Sequence, residues 1–215
     1  RHGPMVLNVC RRVLGHSQDA EDAAQAVFLT LAQKAAALAG RQSVSGWLHH
    51  VSRGVALNAR EARAARTRRE KEAAVANTPA PQSGEIWAHL EPALDGELEA
   101  LPEKYRLPIV LCHLEGRSLA EASALLQCKQ GTLESWLTRG REMLKDRLAR
   151  RGLVLSVAVL GALLSKQAAA AELPAAFVSA TAKTASLVAA GHAAAAFGEG
   201  RLYQFAADEY RVKFG

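Results

Sequence analysis

A chain of 215 residues has room for one or two small domains. Hydrophobic residues make up 49%, much of it alanine, and aromatic ones only 5%, a composition that suits several small helical modules better than one large core. Cys10, Cys112 and Cys128 are odd in number and lack Cys-x-x-Cys spacing, which argues against a disulfide framework or a zinc site and for a reducing cytoplasm. The paired His49 and His50 point in different directions on a helix, a poor start for a metal site, and neither metal nor cofactor is expected. No glycine-rich phosphate loop, nucleophile elbow or supported carboxylate pair is found, so a binding protein is expected rather than an enzyme.

The net charge of +6 is unevenly spread. Residues 1–71 carry 12 Lys/Arg against 5 acids, residues 72–116 carry 2 against 8, and residues 117–152 carry 8 against 4. Two basic blocks around an acidic one suit two polyanion contacts joined by a segment that avoids the polyanion. Ordinary solvated helix faces would give the same pattern.

No alternation of β-branched and aromatic residues persists anywhere, and the chain reads as all-α. It opens on Arg1 with no charged-then-apolar leader, which fits a fragment beginning inside its first helix. Residues 4–14 place Val6, Cys10 and Val13 on one helical face, with Pro4 at the start and Gly15 at the end. Ser17 or Asp19 can cap a second helix, whose first turn holds Asp19, Glu21 and Asp22 and whose stripe runs Val27, Phe28, Leu31, Ala35, Leu38 until Gly40.

A third helix is expected from about Trp47 to Lys71. Its first half is apolar-periodic through Leu48, Val51, Val55 and Leu57; its second half is a basic rod containing Arg60, Arg63, Arg66, Arg68, Arg69 and Lys71. Without a core-facing stripe, that rod should need an anionic partner to be fully ordered. Aromatic rings beside cations, as Trp47, His49 and His50 neighbour the basic rod, suit single-stranded DNA, whose bases stack while phosphates meet arginine; a solvated helix with Trp47 in the core fits equally.

Residues 72–84, ending NTPAPQSG, form a flexible linker. A helix is expected at about 85–99, with Ile86, Leu90, Leu94 and Leu98 four apart, and another runs from Pro102 to Gly116. Ser118-x-x-Glu121 is a capping box opening a short helix through Leu119, Ala122, Leu125 and Leu126. A break at Gln127–Gly131 precedes a longer helix with Leu133, Leu137, Gly140, Leu144 and Leu148 on one face. Short helix, tight break and long amphipathic helix are the layout of a helix-turn-helix, though an αα-hairpin used only for packing shares it. The outward candidates for base edges are Lys129, Gln130, Thr132, Glu134, Ser135 and Trp136, with Arg139, Arg141 and Lys145 spaced for phosphate.

Residues 153–164 form an apolar run of twelve, short of the roughly 20 that span a membrane, which favours a packed or partner-binding helix over a membrane tether. Residues 167–200 are alanine-rich, with Pro174 as a breaker, and residues 201–215 concentrate aromatics without a legible purpose.

Several of these segments, in order over about residues 1–152, resemble sigma-70-type factors of the extracytoplasmic-function (ECF) group. DAEDAAQAVFLTLAQKA at 19–35 and SGWLHHVSRGVALNARE at 45–61 resemble parts of region 2; residues 101–148, above all GTLESWLTRGREML at 131–144, resemble region 4. RHGPMVLNVCRRVLG and the alanine-rich tail look most like the long-tailed subgroup common in planctomycetes. The resemblance implies two small helical domains, region 2 at 1–71 and region 4 at 85–152, joined by the 72–84 linker and followed by a tail at 153–215. It implies core RNA polymerase and promoter DNA as partners, with an anti-sigma factor or a tail-binding regulator as a further class.

The resemblance also assigns roles. Asp19, Asp22, Gln25 and Phe28 match the helix that docks on the clamp coiled coil of core polymerase. Trp47, Arg53, Asn58, Arg60 and Arg63 match the element that opens the −10 region. Lys129, Gln130, Thr132, Glu134, Ser135, Arg139 and Arg141 match the reader of the −35 element. Gln127 stands where the family usually has glycine in the turn, and Glu134 and Trp136 stand where a basic residue is frequent.

Overall fold

A computed structural model describes residues 1–73, 93–153, 156, 159–162, 164 and 173–189, with the side chains of 66–73 and 189 left aside. All regular elements among the described residues are helical. They are α1 (Gly3–Leu14), α2 (Ser17–Leu38), α3 (Ser45–Ala73), α4 (residues 93–99), α5 (Glu103–Ile109), a π turn (Val110–Leu114), α6 (Leu119–Leu125), α7 (Gln130–Arg150) and α8 (Ala175–Ala189). The expected linker at 72–84 and the start of the 85–99 helix fall mostly outside the described residues, although 72 and 73 still belong to α3.

Helices α1, α2 and α3 pack on one another as an N-terminal bundle. Pro4 sits in the first turn of α1, where its missing N–H costs nothing, and Gly15 ends it at φ 67°, donating its N–H to Arg11 O. Neither Ser17 nor Asp19 caps α2. His16 takes the N-cap position without a side-chain bond, and the Ser17 hydroxyl donates to Glu21 instead, 3.3 Å away. The first turn of α3 is bracketed by Ser43, whose Oγ accepts from the Ser45 N–H at 3.2 Å. Small residues let α2 approach closely: Ala20, Ala23, Ala24 and Ala26 are all fully buried beside Val27 and Leu29.

The second group of helices, α5 to α7, is built around the stripe legible in the sequence. Leu133, Leu137, Gly140, Leu144 and Leu148 are the buried residues of α7. At Gly140 a Cβ would stand 3.0 Å from both Ile109 Cδ1 and the Tyr105 carbonyl oxygen, so glycine sets how closely α7 lies on α5. The helix expected to run unbroken to Gly116 changes pitch midway. Pro108 has no N–H to continue the α pattern, and the following turn widens to π, with Glu115 N donating to Val110 O at 3.0 Å.

The two groups are joined through α4 and the ends of α1 and α3. Arg12 of α1 holds Asp95 of α4 with two bonds, Nε to Oδ2 at 2.7 Å and Nη2 to Oδ1 at 2.6 Å, and His49 Nε2 lies 3.1 Å from the same Oδ1. Glu115, after the π turn, meets His2 Nδ1 at 2.6 Å and accepts from Arg117 Nε at 2.8 Å.

Candidate nucleic-acid interface

The α6–turn–α7 unit starts from a reciprocal cap. Ser118 Oγ accepts from the Glu121 N–H at 3.2 Å, and Ser118 N–H donates to Glu121 Oε2 at 3.0 Å. The bonds the Glu121 carboxylate accepts, first from the Ser118 N–H and then from the Ser118 hydroxyl and Arg1, hold it below its ordinary value. The turn then reverses through Gln127, at φ 51° the one non-glycine residue with positive φ among those described. The sequence departure at this position therefore falls where glycine would relieve the backbone. Cys128 N–H closes the turn on Ser123 O at 3.0 Å, and Lys129, in extended conformation, leads into α7.

That geometry leaves the start of α7 open on one side. Lys129, Gln130, Glu134, Ser135 and Arg139 are exposed, and Thr132 is half-buried. The Ser135 hydroxyl donates to Gly131 O at 2.9 Å, which occupies its proton but not its acceptor capacity. Arg141 faces another way. Its Nε and Nη2 lie 3.1 and 2.9 Å from His113 Nε2 on the π turn. Burial, and then the neighbouring Arg141 charge, lower the His113 pKa to about 4, so the ring is neutral near pH 7 and its Nε2 can accept from the guanidinium. Trp136 is half-buried, with Lys104 Nζ 5.2 Å from its ring centroid, a cation–π contact that supplies a positive charge beside a position where the resemblance led one to look for a basic residue.

The residues picked out on α3 are divided. Trp47 is 5% exposed and packed in the core, so its ring is not available for stacking in this conformation. Arg53 Nη1 donates to Glu99 Oε2 of α4 at 2.8 Å, and His50 contacts the other oxygen of that carboxylate. Asn58 is half-buried; Arg60 and Arg63 are exposed, Arg63 donating to Asp19 of α2 at 2.7 Å. On α2, Asp22 is exposed, while Asp19, Gln25 and Phe28 are half-buried. Phe28 meets Phe177 of α8 edge to face, with centroids 6.5 Å apart and planes at 67°.

The sequence reading missed the cluster around Asp95. Its carboxyl is 1% exposed; burial alone would raise its pKa, but the Arg12 guanidinium and bonds from His49 and Arg12 hold it well below the usual carboxylate range. Glu97, next but one along, accepts from Arg147 Nε at 2.7 Å and also pairs with Arg151. The acidic segment was the available signal, because its acids are close-spaced on one short helix. Cys10, also buried here, is pushed up to about 12 by its burial and stays a thiol. Among the described residues no group of three His, Cys, Asp or Glu side chains could hold a metal, and no helix is long and apolar enough to cross a membrane.

Comparison with known proteins supplies the rest. Residues 1–66 match the family model described as Sigma-70 region 2, and residues 93–144 match Sigma-70, region 4. The chain is 31% identical over 155 residues to the ECF RNA polymerase sigma factor SigE of Mycolicibacterium smegmatis, covering 70% of this chain and 60% of that relative. It is 26% identical over 161 residues to the ECF RNA polymerase sigma factor SigW of Bacillus subtilis, covering 66% of this chain and 82% of the relative. Over 154 residues it is 24% identical to the RNA polymerase sigma-H factor of Pseudomonas aeruginosa, covering 66% and 80%. The tail after residue 152 lies outside both matched regions.

Proposed function

This chain belongs to the sigma-70 family, in its ECF group, and from that premise we propose that it binds core RNA polymerase and directs it to promoters to initiate transcription. The observation that carries the reading is the α6–turn–α7 unit. A capped short helix, a left-handed turn residue and a long helix with one buried stripe leave a polar, exposed N-terminal turn that can enter a major groove. In this reading Lys129, Gln130, Thr132, Glu134, Ser135 and Arg139 face the −35 element. Glu134 is suited to accept from a cytosine amino group, while Lys129 and Arg139 meet phosphate or guanine.

Arg60 and Arg63 lie on the exposed face of α3 that would meet the −10 region, with Asn58 half-buried beside it. Arg53 joins them only if Glu99 of α4 releases it, and Trp47 only if it leaves the core. Asp19, Asp22, Gln25 and Phe28 of α2 form the docking face for polymerase, acidic at its N-terminal end and apolar beyond. The work is binding and positioning, with no catalytic step assigned to this chain, and it takes place in the cytoplasm, where polymerase acts.

Run-off transcription with core polymerase and this protein on a genomic library, with start sites mapped, tests the proposal directly. The expected result is a small set of starts sharing two spaced elements. A protein that binds duplex DNA but never co-elutes with core polymerase would be a helix-turn-helix regulator of another kind.

A further inference from the structure

Helix α8 lies along α2, and its amphipathic pattern follows from which side faces that helix. Val188 is buried and Phe177, Thr181, Thr184 and Ala185 are half-buried, at spacings of three and four; Val178, Ala182, Lys183 and Leu187 are exposed on the other side. Phe177 is the anchor, set edge to face on Phe28. Just before the helix, Leu173 fills the space where a Cβ at Gly3 would stand, so the start of α1 receives the same segment.

We propose that α8 is a built-in competitor for the polymerase-docking face of α2, covering its apolar half until polymerase displaces it. This rests on the reading of α2 given above. Three features suit a cover that comes off. Six of the fifteen residues of the helix are alanine, and on its inner face only Phe177 and Val188 are large, so few side chains hold it down. Thr181 Oγ1 is buried without a hydrogen-bond partner, which weakens the seat. The cover is also incomplete: Asp22 stays exposed at the acidic end of α2, where a basic, amphipathic polymerase helix could gain its first hold before it replaces Phe177 on Phe28. If α8 is seated in nine molecules of ten, the apparent affinity for polymerase falls about tenfold below that of the open form, because only the open fraction binds.

The test uses the full chain and core RNA polymerase, with affinity read by titration. Phe177→Asp and Val188→Asp, at the two ends of the α8 face, should each tighten binding by about tenfold, whereas Val178→Asp on the outer side should leave it unchanged. Equal or weaker binding by both inner-face variants, with the unaltered chain binding, overturns the competition and leaves the docking role of α2 standing. If neither the unaltered chain nor any variant binds core polymerase, the docking role itself falls and the competition with it.

Discussion

Asp95 is the residue whose loss the structure makes most costly. Its carboxylate and the Arg12 guanidinium are 1% and 5% exposed and joined by two bonds of 2.6 and 2.7 Å, with His49 as a third neighbour. Replacing Asp95 by alanine breaks a buried ion pair from one side, taking away the carboxylate that accepts both guanidinium bonds, a change that costs about 3–5 kcal/mol in proteins generally. With a urea dependence of about 2 kcal/mol per molar, the unfolding midpoint should drop by about 2 M. The double variant Arg12→Met with Asp95→Leu removes both charges and fills their volume, so it should recover most of that loss.

Acid should act on the same pair. The folded-state pKa of Asp95 is depressed, so its contribution is present above the unfolded value near 3.9 and is lost as pH falls below that towards the folded value. Because Arg12 lies on α1 and Asp95 on α4, the effect must also appear in helices far apart in sequence. A midpoint that moves by less than about 0.5 M on Asp95→Ala, or a double variant as unstable as the single one, would refute the reasoning.

Further outcomes follow from local geometry. Gln127→Gly should stabilise the protein by about 0.5–1 kcal/mol, since a side chain in the left-handed region carries strain that glycine lacks, and a lower melting temperature would count against the turn as described. Ser118→Ala should cost about 1 kcal/mol through loss of the cap, read by urea denaturation. Gly140→Val should destabilise by about 2 kcal/mol or more, because backbone at Tyr105 stands in the way; a neutral result would show α7 free to shift off α5. The depressed pKa of His113 makes its contribution full above about pH 6.5 and progressively lost towards pH 4, so replacing His113 by glutamine should flatten the pH dependence of the urea midpoint across that window.

What could be read from the sequence was what local spacing dictates. The capping box, the stripe from Leu133 to Leu148 and the glycine stop at Gly15 depend on residues within a few turns, and each appears where its pattern points. Gln127 was noticed as a departure, and the backbone gives the reason. The long-range pairings could not be read. Arg12 and Asp95 are 83 residues apart, and nothing in either neighbourhood distinguishes a buried pair from two solvated charges. Trp47 had two open readings, and burial favours the core one in this conformation. The seat of α8 was hidden for a different reason: an alanine-rich helix has too little contrast between its faces to announce which one is covered.

The charge map changes meaning once the fold is known. An acidic segment between two basic blocks suggested a connector kept clear of a polyanion. In the structure three of its acids, Asp95, Glu97 and Glu99, are counter-ions of both blocks. Asp95 and Glu99 meet Arg12, His49, His50 and Arg53 on one side, and Glu97 meets Arg147 and Arg151 on the other. The segment that separates the basic blocks along the chain thus joins them in space. The consequence is unequal for the two candidate DNA surfaces. The exposed start of α7 makes no contact with α4 among these pairs, and Lys129, Gln130 and Arg139 stand open. On α3, Arg53 is already neutralised by Glu99. Duplex binding through α7 therefore requires no rearrangement of α4, whereas use of Arg53 against phosphate must first exchange one anion for another. Salt should expose that difference: screening weakens the half-exposed Arg53–Glu99 pair far more than the buried Arg12–Asp95 pair.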